Sequence, residues 1–578
     1  MKILKKINVL LDKKQKANMI VLLFAMLIGA ILETASIALV FPVIKVVMTP
    51  HAVQSSAMMS RLYHLLGMRN ETQFTVFVML ALIAAFVLKN LFLFAQQKML
   101  YHFIYTNQFR TSERMMKNYL RRGYEFYLNS DTSVIQRSIT SDVNNMYALI
   151  LAVLQIISEV IIFFSLTAVL LAADAKMTIM FATLLILTLF LIKIVIKPIM
   201  QKAGADNQAY YSGLFKWISQ TVSGIKEVKI AGKEQYFIDE YVKCGRGYVE
   251  AVQKYSIYNN TPRLLIETVF IIGMVGYLLF LVLSGGDATQ IMPIIAAFGV
   301  AAVRLMPCAN RINNQLTSMA YFEPFFMGVS DNLQDEISDT NIDMSFAKDT
   351  DQKLAIQKSI RLEDITYRYP NTETLIFDHA NMEIPIGTAV GIVGSSGAGK
   401  TTIVDVLLGL LEIEGGTIYA DETDIKDAYR AWLKDIGYIP QMIFMLDDTI
   451  RKNVAFGIPE MQISESRVWE VLEEAQLAEF VRGLPDGLET SIGERGIRLS
   501  GGQRQRIGIA RALFNDPEVL ILDEATSALD NDTEAAIMES INHFHGKKTL
   551  LIIAHRLQTI EKCDMIYRVE QGKIVRER

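Results

Sequence analysis

The sequence predicts a membrane protein in two parts: a six-helix all-α transmembrane domain with long cytoplasmic helix extensions, followed by an α/β P-loop domain. Three observations predict it. The first ~320 residues hold repeated apolar runs of about 20 residues, the length a helix needs to cross a hydrocarbon core. The remainder has the mixed composition of an α/β protein in water. Within it, Gly394-Ser395-Ser396-Gly397-Ala398-Gly399-Lys400-Thr401 matches G-x-x-x-x-G-K-[ST] without departure. A chain of 578 residues is too long for one core. Composition divides it into a transmembrane domain (1–333), a polar acidic linker (334–358) and the P-loop domain (359–578).

Six spans are expected: Met19–Val47, Phe74–Gln96, Leu149–Leu171, Met177–Ile199, Leu264–Leu283 and Ile291–Cys308. Only Ala172-Ala-Asp-Ala-Lys176 separates the third from the fourth, so those two form a tight hairpin. The Lys-rich N-terminus runs into an apolar segment longer than a signal-peptide core, without a small-residue cleavage site. It is expected to be a retained anchor. Loop charge sets the orientation. Six lysines (Lys2, Lys5, Lys6, Lys13, Lys14, Lys16) precede the first span, and the second-to-third and fourth-to-fifth connections are rich in Lys and Arg. The fifth-to-sixth loop, Ser284–Gln290, has no basic residue. Both termini are therefore expected in the cytoplasm.

The two basic connections span roughly 50 and 65 residues, too long to be structureless in a compact protein. Their pattern stays helical, as in Phe215–Ile225. The membrane helices are expected to continue into the cytoplasm and turn near Tyr124–Ser133 and Tyr211–Ser223, presenting surfaces to the P-loop domain. Ordinary solvated basic loops are the alternative. In the first outer loop, His51–Asn70, the residues Met58, Met59, Leu62, Leu65 and Leu66 recur at helical spacing. They suit an amphipathic helix lying on the outer membrane surface or packed on the protein.

Glu33, Lys89, Glu159, Glu267 and Arg304 fall inside apolar stretches, where a charge facing lipid costs several kcal/mol. Each must face a cavity, a partner or the interface. Arg304 and Arg311, with Glu33 and Lys89, are candidates to line a substrate path, because a guanidinium suits bidentate contact with phosphate. For Arg304 the alternatives are a pair with Glu33 or Glu267, or snorkelling. Structural roles are expected for Glu159 and Glu267. A net charge of −4 gives no reason to expect nucleic acid as a partner. Cys244, Cys308 and Cys563 have no metal-ligand spacing.

In the P-loop domain, Ala389–Val393 reads as a buried strand and Thr401–Leu411 as the following helix. Glycines 394, 397 and 399 let backbone N–H groups approach phosphate oxygens, and the helix N-terminus adds positive potential. Lys400 adds a point charge, the Thr401 hydroxyl can ligate Mg²⁺, and Thr402 continues the cradle. Five features follow in order: Gln441 after a strand; Leu499-Ser500-Gly501-Gly502-Gln503 before a helix; Val519–Leu522 ending in Asp523 and Glu524; Ser527–Asp530; and Leu550–Ala554 ending in His555. Asp523 can hold Mg²⁺, with Gln441 reaching metal and water. Glu524 can orient or deprotonate the attacking water, and His555 can contact the γ-phosphate.

On these motifs the half from about Ile360 resembles an ABC-type ATPase domain, and Leu499–Gln503 matches that family's signature. Six spans followed by one such domain resemble an ABC exporter half-transporter over essentially the whole chain. The resemblance implies that Tyr369 stacks on adenine, that Ser500, Gly501, Gly502 and Gln503 close on the triphosphate bound by a second copy, that Asp530 couples the two sites, and that Glu494 lies near the cytoplasmic turns. One P-loop and one signature per chain then require a homodimer binding ATP and Mg²⁺. Glu33–Ile44, Lys197–Gly204 and Arg304–Arg311 are similar to bacterial flippases of lipid-linked oligosaccharides. That similarity implies a polyprenyl-pyrophosphate-linked glycan as substrate, in a bacterial cytoplasmic (inner) membrane. The alternatives on the same scaffold are an exporter of drugs or lipid A-type lipids, and an ATP-gated channel or regulatory subunit.

Overall fold

The computed structural model describes residues 6–7, 10–39, 63, 71–173, 175–283, 288–335, 352–524, 537–539, 541, 543–554 and 560–578. The chain divides into two compact units. One comprises Met1–Leu120 and Ser130–Thr340; the other comprises Arg121–Asn129 and Asn341–Arg578.

Among the described residues the first unit holds six long helices: α1 (Lys13–Ala38), α2 (Glu71–Leu120), α3 (Val143–Ala173), α4 (Ala175–Ser223), α5 (Glu234–Leu283) and α6 (Ala288–Asp335). Four of them are 48 to 50 residues long. At 1.5 Å per residue such helices reach about 75 Å, more than twice the thickness of a hydrocarbon core. The extensions expected from the basic connections are thus continuous helix. Among the described residues, Lys13–Ser36, Thr72–Leu120, Thr132–Ala168 and Thr178–Ser223 are long and apolar enough to cross a membrane. The fifth and sixth expected spans fall within α5 and α6. The outer-loop stretch His51–Asn70, apart from Tyr63, lies outside the described residues.

Packing follows the apolar stripes. Ile192, Ile196 and Met200 of α4 meet Ile266 of α5 and Ala309, Tyr321 and Phe325 of α6. Gly204 lets α4 close on α6, since a Cβ there would sit 2.0 Å from the Tyr321 carbonyl oxygen. Leu88, Phe94, Val195 and Ile272 point outward and are exposed, as lipid-facing residues must be.

The first of the two expected turns falls where predicted. Tyr124–Leu128 is a short helix, and the Asp131 carboxylate caps the next one by accepting from the Ser133 backbone N–H at 2.9 Å. The second lies further along than Tyr211–Ser223, which forms the end of α4. The chain turns at Gly224, makes the short helix Ile225–Ala231, and reverses at Gly232, whose φ is +59°. Two glycines, rather than the aromatic Tyr211–Trp217 stretch, supply the turn chemistry.

In the second unit, β1 (Ser359–Arg368), β2 (Leu375–Pro385), β4 (Gly415–Ala420) and β5 (Thr423–Asp424) form an antiparallel sheet in the order β2-β1-β4-β5. The main sheet runs β10-β9-β3-β8-β7-β6. It contains β3 (Ala389–Val393), β6 (Ile436–Ile439), β7 (Val519–Asp523), β8 (Thr549–Ile553) and β9 (Met565–Glu570), all parallel, with β10 (Lys573–Arg576) antiparallel at one edge. Alternating side chains of its central strands serve two cores. Val393, Leu520, Leu522, Leu550 and Ile552 face one core. Val390, Ile392, Val519, Ile521, Leu551 and Ile553 face the other. This is the period-2 pattern of strands buried on both faces.

Candidate functional site

The site lies at the C-terminal ends of the parallel strands, where open α/β sheets bind ligands. The P-loop follows β3 and leads into α7 (Lys400–Leu407). Gly397 and Gly399 have φ of +80° and +101°, conformations that side chains disfavour. Gly394 is required for a different reason: a Cβ there would lie 2.6 Å from the Val569 carbonyl oxygen. Lys400 is 6% exposed, and its Nζ donates back to the carbonyls of Gly394 (3.2 Å) and Ser395 (3.0 Å). The loop is thereby curled around the lysine's own ammonium, ready for an anion. The helix is shorter than the expected Thr401–Leu411. It ends because Gly409, with φ +67°, packs beneath the Tyr429 ring, whose hydroxyl donates to the Leu408 carbonyl.

Asp523 closes β7 and is 3% exposed. Burial raises its pKa, as does the neighbouring charge of Glu524, while Tyr438, Thr401 and Lys400 pull it back. The Tyr438 hydroxyl donates to Asp523 Oδ2 at 3.4 Å, and Oδ1 is buried with no hydrogen-bond partner. An orphaned buried carboxylate oxygen beside the Thr401 hydroxyl is what a hard cation with oxygen ligands fits. Glu524 follows at φ +48°, its N–H donating to the Ile553 carbonyl. Gln441, just beyond β6, donates from Nε2 to Glu524 Oε2 at 2.8 Å. The structure therefore brings Lys400, Thr401, Gln441, Asp523 and Glu524 together. His555 and Asp530 lie outside the described residues, as does the stretch between Ser527 and Asp530.

The Tyr369 hydroxyl is 3.0 Å from Thr402 Oγ1, and its ring meets Tyr367 edge-on at 5.3 Å. The signature opens α8 (Gly501–Leu513). Ser500 caps that helix, accepting from the Gln503 N–H while Gln503 Oε1 accepts from the Ser500 N–H. The exposed Ser500 hydroxyl and the helix N-terminus form an anion-favouring end. Yet α8 packs in one core and α7 in the other. Among the described residues no hydrogen bond joins signature to P-loop.

Sequence reasoning passed over two residues. Tyr438 donates to Asp523, and its place on β6, three residues before Gln441, was the available signal. Arg511 ties α8 to the stretch after Gln441, donating to the carbonyls of Phe444 (2.7 Å) and Asn453 (2.8 Å). Burial lowers its pKa to about 10.

In the membrane unit, Arg311 pairs with Glu159 at 2.6 Å, and Glu267 pairs with Arg263 at 2.8 Å. Lys89 is buried with its ammonium 4.5 Å from the centre of the Phe86 ring. The expected structural roles of Glu159 and Glu267 have partners to carry them. Glu33 lies in α1, and the Arg304 side chain lies outside the described residues.

Residues 377–527 match the family model described as ABC transporter, and residues 38–289 match the model of the ABC transporter transmembrane region. An uncharacterized ABC transporter ATP-binding protein, YwjA, of Bacillus subtilis is 40% identical over 240 residues, 41% of each chain. The ATP-dependent lipid A-core flippase of Photorhabdus laumondii is 41% identical over 40% of this chain and 41% of its own. The flippase of the same name from Desulfotalea psychrophila is 29% identical over 79% of this chain and 78% of its own. The chain thus spans about two fifths of the first two relatives. A bacterial Atm1-family ABC exporter with ATP bound superposes with a TM-score of 0.76 at 22% identity, covering 98% of this chain and 95% of that one. That likeness fixes the fold. The chain thus joins a helical region that matches the ABC transporter transmembrane model to an α/β domain that matches the ABC transporter model, in the fold of an ABC exporter.

Proposed function

We propose that the protein is a homodimeric, ATP-driven exporter that moves an amphipathic lipid across a bacterial inner membrane. The observation that carries the ATPase reading is the Gln441–Glu524 hydrogen bond beside the half-satisfied Asp523. Lys400 and the loop N–H groups hold the triphosphate. Asp523 and Thr401 hold Mg²⁺, which when bound neutralises charge developing on the phosphates. Gln441 and Glu524 orient the attacking water, and Glu524 accepts its proton. The signature's place in a separate core supports dimerisation, because Ser500 and Gly502 then complete the site of a second copy. Nucleotide-driven closure is transmitted to the membrane helices through the two cytoplasmic turns.

For the substrate, the names of the relatives favour a lipid A-type lipid over the polyprenyl-pyrophosphate-linked oligosaccharide. Among the described residues, Arg311, one of the two arginines considered for a pyrophosphate, is engaged by Glu159.

The test is Glu524→Gln in the full chain. Retention of ATP with turnover reduced at least ~100-fold is expected, with the ATP-bound protein measured as a dimer. Turnover at the unsubstituted rate, or a monomer that hydrolyses ATP normally, would discredit the reading. Liposomes carrying either lipid then decide the substrate: ATP-dependent movement of the oligosaccharide lipid alone would reverse the choice.

A further inference from the structure

Gln441 sits at the head of a stretch with little structure of its own. After β6 the chain runs irregularly until the short helix Ile450–Val454. Met442 and Phe444 are 88% and 66% exposed, so their side chains anchor nothing within the chain's own core. Among the described residues the backbone of Met442–Met445 makes one hydrogen bond, at the Phe444 carbonyl. Its donor is Nη1 of Arg511, near the end of α8, at 2.7 Å. The same guanidinium donates from Nε to the Asn453 carbonyl (2.8 Å) and from Nη2 to Asn453 Oδ1 (3.2 Å). Asn453 is fully buried and closes the stretch from its far end. Its side-chain amide donates to the Leu446 and Thr449 carbonyls, both at 3.0 Å, and its Oδ1 accepts from the Leu446 N–H at 2.9 Å. One turn earlier on α8, Gly508 makes room for Ile443, since a Cβ there would lie 2.2 Å from Ile443 Cδ1. Gly508 and Arg511 share a helix face, and through them α8 grips both ends of the stretch.

Among the described residues no carboxylate pairs with Arg511. Its partners are neutral oxygens and the Phe456 ring, whose centre lies 4.6 Å away. Withdrawing a cation from water among neutral partners costs free energy, and an apolar side chain would fill the same place without that cost. What the guanidinium adds is a rigid planar fork of donors in fixed directions. We infer that Arg511 is a positioning residue for ATP hydrolysis: by fixing the Phe444 carbonyl it holds Gln441, three residues back, in reach of Glu524, to which Gln441 donates at 2.8 Å. This rests on the reading of Gln441 and Glu524 as the pair that orients the attacking water.

The test uses the full-length protein, with steady-state ATP hydrolysis measured beside hydrogen–deuterium exchange of residues 441–455 in the nucleotide-free state. Arg511→Met keeps the length of the stem and removes every donor. It should lower kcat about tenfold, short of the roughly hundredfold that a full ångström of misplacement can bring. KM for ATP should stay within about twofold, because the phosphate loop is untouched. Exchange across 441–455 should quicken, with no nucleotide or metal present. Arg511→Lys keeps the charge without the fork and should lose about threefold in kcat. If thermal melting shows Arg511→Met to be unfolded, the lysine variant carries the same comparisons. Beside Gln441→Ala, the substitution at 511 should have no further effect on kcat. A low kcat in Gln441→Ala with native kcat in both Arg511 variants would overturn the inference and leave the reading of Gln441 standing. A loss that persists in full beside Gln441→Ala, or one confined to KM, would reduce Arg511 to a structural tie. Native kcat in Gln441→Ala itself would overturn the reading of Gln441 and the inference with it.

Discussion

Glu524 holds a backbone conformation, φ +48°, that costs a non-glycine residue free energy. The Ile553 carbonyl and Gln441 hold it there. Such strain aims the carboxylate away from the strand line it would otherwise follow. Gly394 shows the opposite economy, being needed for what it lacks. Gly394→Ala places a methyl against the Val569 carbonyl, so we expect a loss of about 1–3 kcal/mol in stability, read as a lower thermal midpoint of the ATPase unit. An unchanged midpoint would mean that the loop and β9 separate without cost. The identities of Lys400, Asp523 and Glu524 were legible because each type answers a demand of phosphate or water. Tyr438 was not, because a phenol on a strand is ordinary until the fold sets it beside Asp523.

Strands were the elements most legible in the sequence, for β3, β7 and β8 are unbroken apolar runs ending in polar residues. Helix ends were harder. The end of α7 depends on Tyr429, twenty residues away from Gly409, and no local pattern announces that packing. The second turn had a local signal in Gly224 and Gly232, which helical periodicity through Phe215–Ile225 masked. At α8 the cap and the proposed recognition of a partner's nucleotide share one hydroxyl. Ser500→Ala should cost about 1 kcal/mol of stability and Ser500→Gly only a few tenths. Both should weaken nucleotide-dependent dimerisation equally, measured by light scattering with ATP in the Glu524→Gln background. Dimerisation that tracks the cap energies instead would reduce Ser500 to a helix terminator.

At the scale of the whole molecule, a helical transmembrane region followed by an α/β ATPase domain was readable from hydropathy and motifs, whereas the cargo was not. The motifs resembling oligosaccharide flippases lie in helices whose charges serve several purposes. Arg311 has its Glu159 partner, Lys89 has an aromatic face, and Cys308 donates to the Glu159 carbonyl at 3.2 Å. Charge in a span announces expense, not cargo. If the Arg311–Glu159 pair is architectural, Glu159→Ala should lower the midpoint of the membrane unit and Glu159→Ala with Arg311→Ala should recover part of the loss, because an unmatched charge is worse than none. Full additivity in that cycle would show the pair to be incidental.

The nine residues 121–129 leave the membrane helices and fold with the ATPase unit, where Glu125 satisfies the Glu412 amide and the Tyr367 phenol. A soluble fragment beginning at 341 would therefore be short of one of its own pieces. It would expose two orphaned donors, the Glu412 amide and the Tyr367 phenol. A synthetic peptide of that sequence should restore those two hydrogen bonds, and any rate measured on the fragment alone belongs to an incomplete ATPase unit.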